Sequence, residues 1–98
     1  MTENQKAPAK RADDGTIFIG KKPTMSYVLA AITQFGNSDE IRIRARGRSI
    51  STAVDVAEVL RGRFMKDVKN TVSIGTDEVT DKDNRKLRVS TINISMKK

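Results

Sequence analysis

Glu40-Ile41-Arg42-Ile43-Arg44-Ala45-Arg46-Gly47-Arg48 alternates apolar and cationic side chains along one short run. A period of two is the mark of a strand with one buried face. Ile41, Ile43 and Ala45 then point to a core, and Arg42, Arg44 and Arg46 point away from it. A row of fixed cations with no acid among them is costly by self-repulsion, so it implies a polyanionic partner, of which phosphate backbones are the commonest.

Working upstream, Thr16-Ile17-Phe18-Ile19-Gly20 is a short β-rich run, followed by Lys21-Lys22-Pro23. Pro23 suits a helix start. From Thr24, the residues Met25, Val28, Leu29, Ile32 and Phe35 recur at helical spacing, and Gly36-Asn37 supplies a stop. Downstream, Gly47-Arg48-Ser49 reads as a turn, and Ser49 or Ser51 can cap a helix over about 50–64. Thr52 to Asp55 also has capping-box spacing. Ile50, Ala53, Val54, Ala57, Leu60 and Phe64 make one stripe on this helix, with Val56 and Val59 on a different side. Such a helix either packs deep in one subunit or touches both its own core and a second subunit.

Val72 and Ile74, then Leu87 and Val89, then Ile92, Ile94 and Met96 alternate as two final strands. Parity slips between Val89 and Ile92, which implies a bulge or strong twist near Ser90-Thr91. The intervening segment is polar, with Asp83-Asn84 as its tip, and implies a hairpin arm over about 76–90. The expected fold class is α+β, a mixed four-stranded sheet backed by two helices in the order β-α-β-α-β-β. The domain spans 16–98, and the polar residues 1–15 read as a flexible tail.

The chain has 98 residues, no Cys and no His, and a net charge of +7. Disulfides, the usual zinc ligands, thiol nucleophiles and imidazole acid–base chemistry are therefore excluded. The tail is charge-balanced, whereas residues 16–48 carry six Lys or Arg against two acids. A basic folded surface implies a shaped binding face. No apolar run has transmembrane length, and no cofactor motif, phosphate-binding glycine loop or catalytic signature is present. Asp81-Lys82-Asp83-Asn84 begins like a calcium loop but lacks the rest of that pattern. No metal, no cofactor and no enzymatic activity are expected.

Three basic elements stand out. Lys21 and Lys22 lie between a strand and a helix N-terminus, where free N–H groups and the helix dipole favour anions. Arg42, Arg44, Arg46 and Arg48 offer planar forks of donors, with Arg46 and Arg48 favoured because they lead into the turn. Arg85, Lys86 and Arg88 lie on the arm, and a β-ribbon can enter a groove. Asp77, Glu78, Asp81 and Asp83 weaken the arm's local field.

These residues resemble a known family. Ile19-Gly20-Lys21-Lys22-Pro23 with Met25 and Tyr27-Val28-Leu29-Ala30, then Ala45-Arg46-Gly47-Arg48 with Ile50-Ser51 and Ala53-Val54-Asp55, then Arg63-Phe64 and Ser90-Thr91-Ile92, are similar in order and spacing to the Alba family of archaeal chromatin proteins. The resemblance covers about residues 16–97. It implies a fold shared with the C-terminal domain of a bacterial translation initiation factor. It implies a homodimer that binds double-stranded DNA, and often RNA, with little sequence preference, in a cytoplasmic, chromosome-associated setting. It implies nucleic-acid contacts from Lys21, Lys22, Arg46, Arg48 and Arg85, with Lys86 and Arg88 beside them, and dimer–dimer association along DNA through Phe64. It also implies acetylation, with Lys21 the candidate, since loss of an ammonium charge weakens binding. Ser26, where relatives often carry Asn, and the arginine-rich strand depart from the family pattern.

The leading expectation is thus an architectural protein that packages DNA. A subunit of an RNA-processing particle is the alternative, and a scaffold for an acidic protein is a third. Single-strand recognition usually recruits stacking aromatics. Phe18, Tyr27, Phe35 and Phe64 are the only aromatics, and periodicity assigns most of them to core or interface.

Overall fold

The computed structural model describes residues 15–98. The expected tail lies outside the described residues except for Gly15. That residue is buried and accepts a hydrogen bond from the Arg42 N–H at 2.8 Å, so it belongs to the folded body.

The arginine-rich run forms a strand as its alternation requires. The elements are β1 (Thr16–Phe18), α1 (Thr24–Phe35), β2 (Glu40–Arg46), a 3-10 turn (Gly47–Ser49), α2 (Ile50–Val59), a π-helical turn (Leu60–Phe64), β3 (Lys69–Thr80) and β4 (Lys86–Lys97). The sheet order is β1-β2-β4-β3. β1 and β2 are parallel, so their connection must cross over, and α1 makes that crossing. β4 is antiparallel to both β2 and β3. The α+β class and the order β-α-β-α-β-β hold as expected.

Register decides which residues share a face. Ile41, Ile43 and Ala45 sit opposite Met96, Ile94 and Ile92, and all six are buried beneath the helices. Val28, Ala31 and Phe35 of α1 and Ala53, Val56 and Ala57 of α2, with Leu60, complete the core. Burying each larger aliphatic side chain contributes about 1.5–3 kcal/mol. The Lys98 ammonium donates to the Phe35 carbonyl at 2.8 Å, placing a cation at the C-terminal end of α1.

Three local expectations differ. No bulge occurs near Ser90-Thr91, because β3 and β4 pair without a slip from Lys69↔Lys97 to Thr80↔Lys86. Leu87 and Val89 simply face away from the helix side. They lie in the arm, where helix packing does not dictate parity. In α2, Val56 is core and Val54 is exposed, the reverse of the expected stripe. Ser49 stands at the N-cap without a side-chain bond, and Ser51 and Thr52 lie inside the helix; the Ile50 N–H bonds the Gly47 carbonyl, so the 3-10 turn does that work.

The helices leave part of their own side of the sheet open. α2 makes its sheet contacts with β2 and β4. Val72 and Ile74 of β3 share that side with Ile94 and Ile92, yet they are 56% and 81% exposed.

Candidate nucleic-acid interface

The lysine pair is held by a buried tyrosine. Ile19 extends the β1 pairing by donating to the Arg44 carbonyl at 2.9 Å, and the chain then turns at Gly20. Tyr27, in the first turn of α1 and only 8% exposed, accepts hydrogen bonds at its Oη from the Gly20 N–H at 2.8 Å and the Lys22 N–H at 3.0 Å. These two N–H groups are therefore committed and do not offer themselves to an anion, contrary to the sequence expectation of free donors in this loop. The ammonium groups of Lys21 and Lys22 remain, both on exposed residues. Tyr27 is a positioning residue that helical periodicity alone does not reveal. Its signal is an aromatic with a polar tip, which needs a partner when buried.

The second element is built on a glycine. β2 ends at Arg46, and Gly47 adopts φ +57. A Cβ there would meet Val89 Cγ1 at 3.3 Å, so both conformation and space call for glycine. Arg46 and Arg48 flank it and are exposed. Because β1 and β2 run parallel, the Lys21-Lys22 loop and this turn leave the sheet at the same end.

The arm leaves at that end too. β2 pairs with β4 as far as Arg46↔Thr91, and beyond it only β3 and β4 continue, from Thr76↔Ser90 to Thr80↔Lys86. At about 3.3 Å per residue this ribbon projects roughly 17 Å before its turn. Asp81 builds that turn: its Oδ1 accepts from the Asp83 and Arg85 N–H groups, each at 2.9 Å. Asn84 takes the left-handed conformation at φ 62. Asp81 is thus a structural carboxylate, and Glu78 stands directly opposite Arg88 across the ribbon. Lys86 faces Thr80, and Arg85 sits in the turn itself.

Arg42 and Arg44 are set apart from this end. They point from the sheet face that no helix covers. Arg44 lies over the ring of Phe18, with its guanidinium carbon 5.9 Å from the ring centre. Phe18 is 55% exposed, so of the aromatics assigned mostly to core or interface, Tyr27 and Phe35 are core and Phe18 is not.

Phe64 is exposed at the end of the π-helical turn, where the Met65 N–H bonds the Leu60 carbonyl at 2.7 Å. Near it, Arg61 donates to Glu58 through Nε at 3.1 Å and Nη2 at 2.6 Å. These bonds hold the Glu58 carboxyl below its ordinary range and push Arg61 up.

No helix among the described residues is long and apolar enough to cross a membrane. Comparison with known proteins places the chain. The Alba family model matches residues 15–78. The DNA/RNA-binding protein Alba of Methanocella arvoryzae is 49% identical over 88 residues, covering 88% of this chain and 92% of the relative. The protein of the same name from Methanococcus maripaludis is 45% identical over 84 residues, covering 83% and 94%. The solved structure of Alba from Thermoplasma volcanium superposes with a TM-score of 0.80 at 45% identity, covering 85% of this chain and 99% of that one. With the sequence motifs, the strand order and these likenesses in agreement, this chain belongs to the Alba family.

Proposed function

We propose that two copies of this chain pair, and that the pair binds duplex DNA and duplex RNA without sequence preference, organising chromosomal DNA and doing no catalysis. The observation that carries this reading is the common exit of three basic elements. The Lys21-Lys22 loop, the Arg46-Gly47-Arg48 turn and the arm with Arg85, Lys86 and Arg88 all leave the sheet at one end. Relatives at 45–49% identity are named DNA/RNA-binding proteins, which supports both duplexes as partners. Pairing is supported by the apolar side chains that the helices leave open, Val72 and Ile74 on β3 and Val54 on α2. A domain of this size gains core by covering such residues with a second copy.

In this reading the lysine loops and arginine turns grip phosphates, and the arms follow a groove. Such contacts position a protein and carry little sequence information. Arg42 and Arg44 extend the basic field along the open sheet face. Acetylation of Lys21 removes one ammonium from an exposed loop and lowers affinity. Phe64 joins neighbouring dimers on one duplex.

A salt titration tests the reading. With roughly six phosphates neutralised, log affinity falls against log salt with a slope near −5. Replacing both Lys21 and Lys22 by Ala lowers affinity for every duplex sequence and flattens the slope by about 0.9 for each phosphate no longer neutralised. A wild-type slope near zero, or a double variant with unchanged affinity and slope, refutes it.

A further inference from the structure

The open face of the sheet carries a ring and an amide that the duplex reading does not use, beside arginines that it does. One row crosses all four strands: Phe18 beside Arg44, Arg44 opposite Asn93, and Asn93 opposite Ser73. The next row toward the arm contains Arg46, Thr91 and Gly75. Gly75 brings no side chain, and the face there is a broad concavity of about 780 Å³. That volume falls in the range of sites for small organic groups.

Three chemistries converge on it. Phe18 offers a ring more than half exposed, already approached by the Arg44 guanidinium. Arg44 and Arg46 offer positive charge on exposed side chains. Asn93 offers an acceptor: its Oδ1 is shielded from solvent and has no donor among the described residues. Phosphate oxygens only accept hydrogen bonds, so they satisfy the arginines and leave the Asn93 Oδ1 unmet. A nucleobase edge brings N–H donors, and its flat face stacks on an aromatic ring. A duplex hides both the base faces and most of the base edges, so the matching ligand is unpaired.

We infer that the open sheet face binds an unpaired nucleotide of single-stranded nucleic acid, with the base stacked on Phe18 and read at its edge by Asn93, and the phosphate held by Arg44 and Arg46. This face is then a second site, built around Phe18 and Asn93, that borders the duplex-facing end and shares its arginines.

The test uses fluorescence anisotropy of the full chain with a single-stranded 8-mer carrying one 2-aminopurine, in ribose and deoxyribose versions, beside a blunt duplex. Phe18→Ala should weaken the single strand about tenfold, the typical loss of one aromatic stacking platform. Duplex affinity should change less than twofold, since the duplex reading rests on the lysine loop, the arginine turn and the arm and takes no contact from Phe18. Phe18→Leu keeps apolar bulk without a flat ring and should show the same selective loss, which guards against a folding artefact. Binding to wild type should also quench the 2-aminopurine, and binding to Phe18→Leu should not. A preference for the ribose strand would assign RNA as the ligand, and equal affinity would assign unpaired strands of either kind. Equal losses on strand and duplex, an unquenched probe in wild type, or unchanged single-strand affinity in both variants overturns the inference. A wild-type protein that binds the strand and ignores the duplex would overturn the duplex reading alone.

Discussion

Replacing Tyr27 by Phe removes one oxygen and no packing volume, so it isolates the tether on the lysine loop. That oxygen accepts from the Gly20 and Lys22 N–H groups at 2.8 and 3.0 Å. A hydrogen bond contributes about 0.5–1.5 kcal/mol net. Gly20 and Lys22 are exposed, so water can reach the freed donors, and the expected loss of stability is about 1–2 kcal/mol, below the full penalty of a buried orphan. For a domain of this size that lowers Tm by about 4–8 °C per kcal/mol. The lysines keep their charge but lose their setting. Ordering even one loop residue on binding costs about 1–2 kcal/mol, so duplex affinity should fall about tenfold. The salt dependence separates positioning from charge. Tyr27→Phe should leave the slope of log affinity against log salt at its wild-type value, because no cation is removed, whereas the Lys21 and Lys22 double variant should flatten it. Urea unfolding followed by circular dichroism, with anisotropy titrations at several salt concentrations, measures both. If Tyr27→Phe retains full stability, or flattens the slope as much as the double lysine variant, the tether argument fails.

Phe64→Ala should reduce clustering on long DNA, seen by electron microscopy or by steepness of a gel-shift series, more than it reduces binding of a single dimer to a short duplex; equal effects would remove Phe64 from association. Ile74→Asp puts a charge on the apolar strip proposed to pair two copies, so sedimentation should show a shift toward monomer with helix content unchanged, and an intact dimer would send the interface elsewhere. Gly47→Ala forces a side chain into φ +57 and against Val89, which should cost about 1–2 kcal/mol and lower duplex affinity with it; a variant as stable as wild type would mean that the turn relaxes freely.

Much of the fold is legible because simple periods dominate it. The alternation from Glu40 to Arg46 names its own strand and faces, and β2 follows it residue for residue. Met25, Val28, Leu29, Ile32 and Phe35 name α1, although Met25 and Leu29 prove to be exposed. The misreadings arise where a pattern has more than one explanation. Leu87 and Val89 break parity with Ile92, and in a fully buried strand that would mean an extra residue in the ladder. In a ribbon free of helices the same break costs little. On the regular helix, Ala53, Val56, Ala57 and Leu60 fall within one arc and Val54 lies at its edge, so the core takes Val56 and leaves Val54 exposed.

The candidate site is legible as charge and illegible as geometry. Lysine and arginine runs announce themselves, but nothing local shows that the loop after β1, the turn after β2 and the arm share one end. That follows from a parallel β1–β2 pair and an antiparallel β4, which are long-range facts. The Tyr27 tether is likewise a contact between a helix and the loop before it. The exposure of Phe18 depends on which face of the sheet the helices cover, and the β1 run is too short to reveal it.

At the Gly75–Thr91 pair the ladder narrows from three strands to two, and the residue on β3 there has no side chain to wedge against its neighbours. Bending strain gathers at the thinnest section of a beam, so deflection of the ribbon concentrates at this fulcrum. The packing of Ile41, Ile43 and Ile94 lies on the thick side of it and is spared. In the duplex reading proposed above, a stiff base with a compliant prong fits helices of unequal girth without repacking its interior.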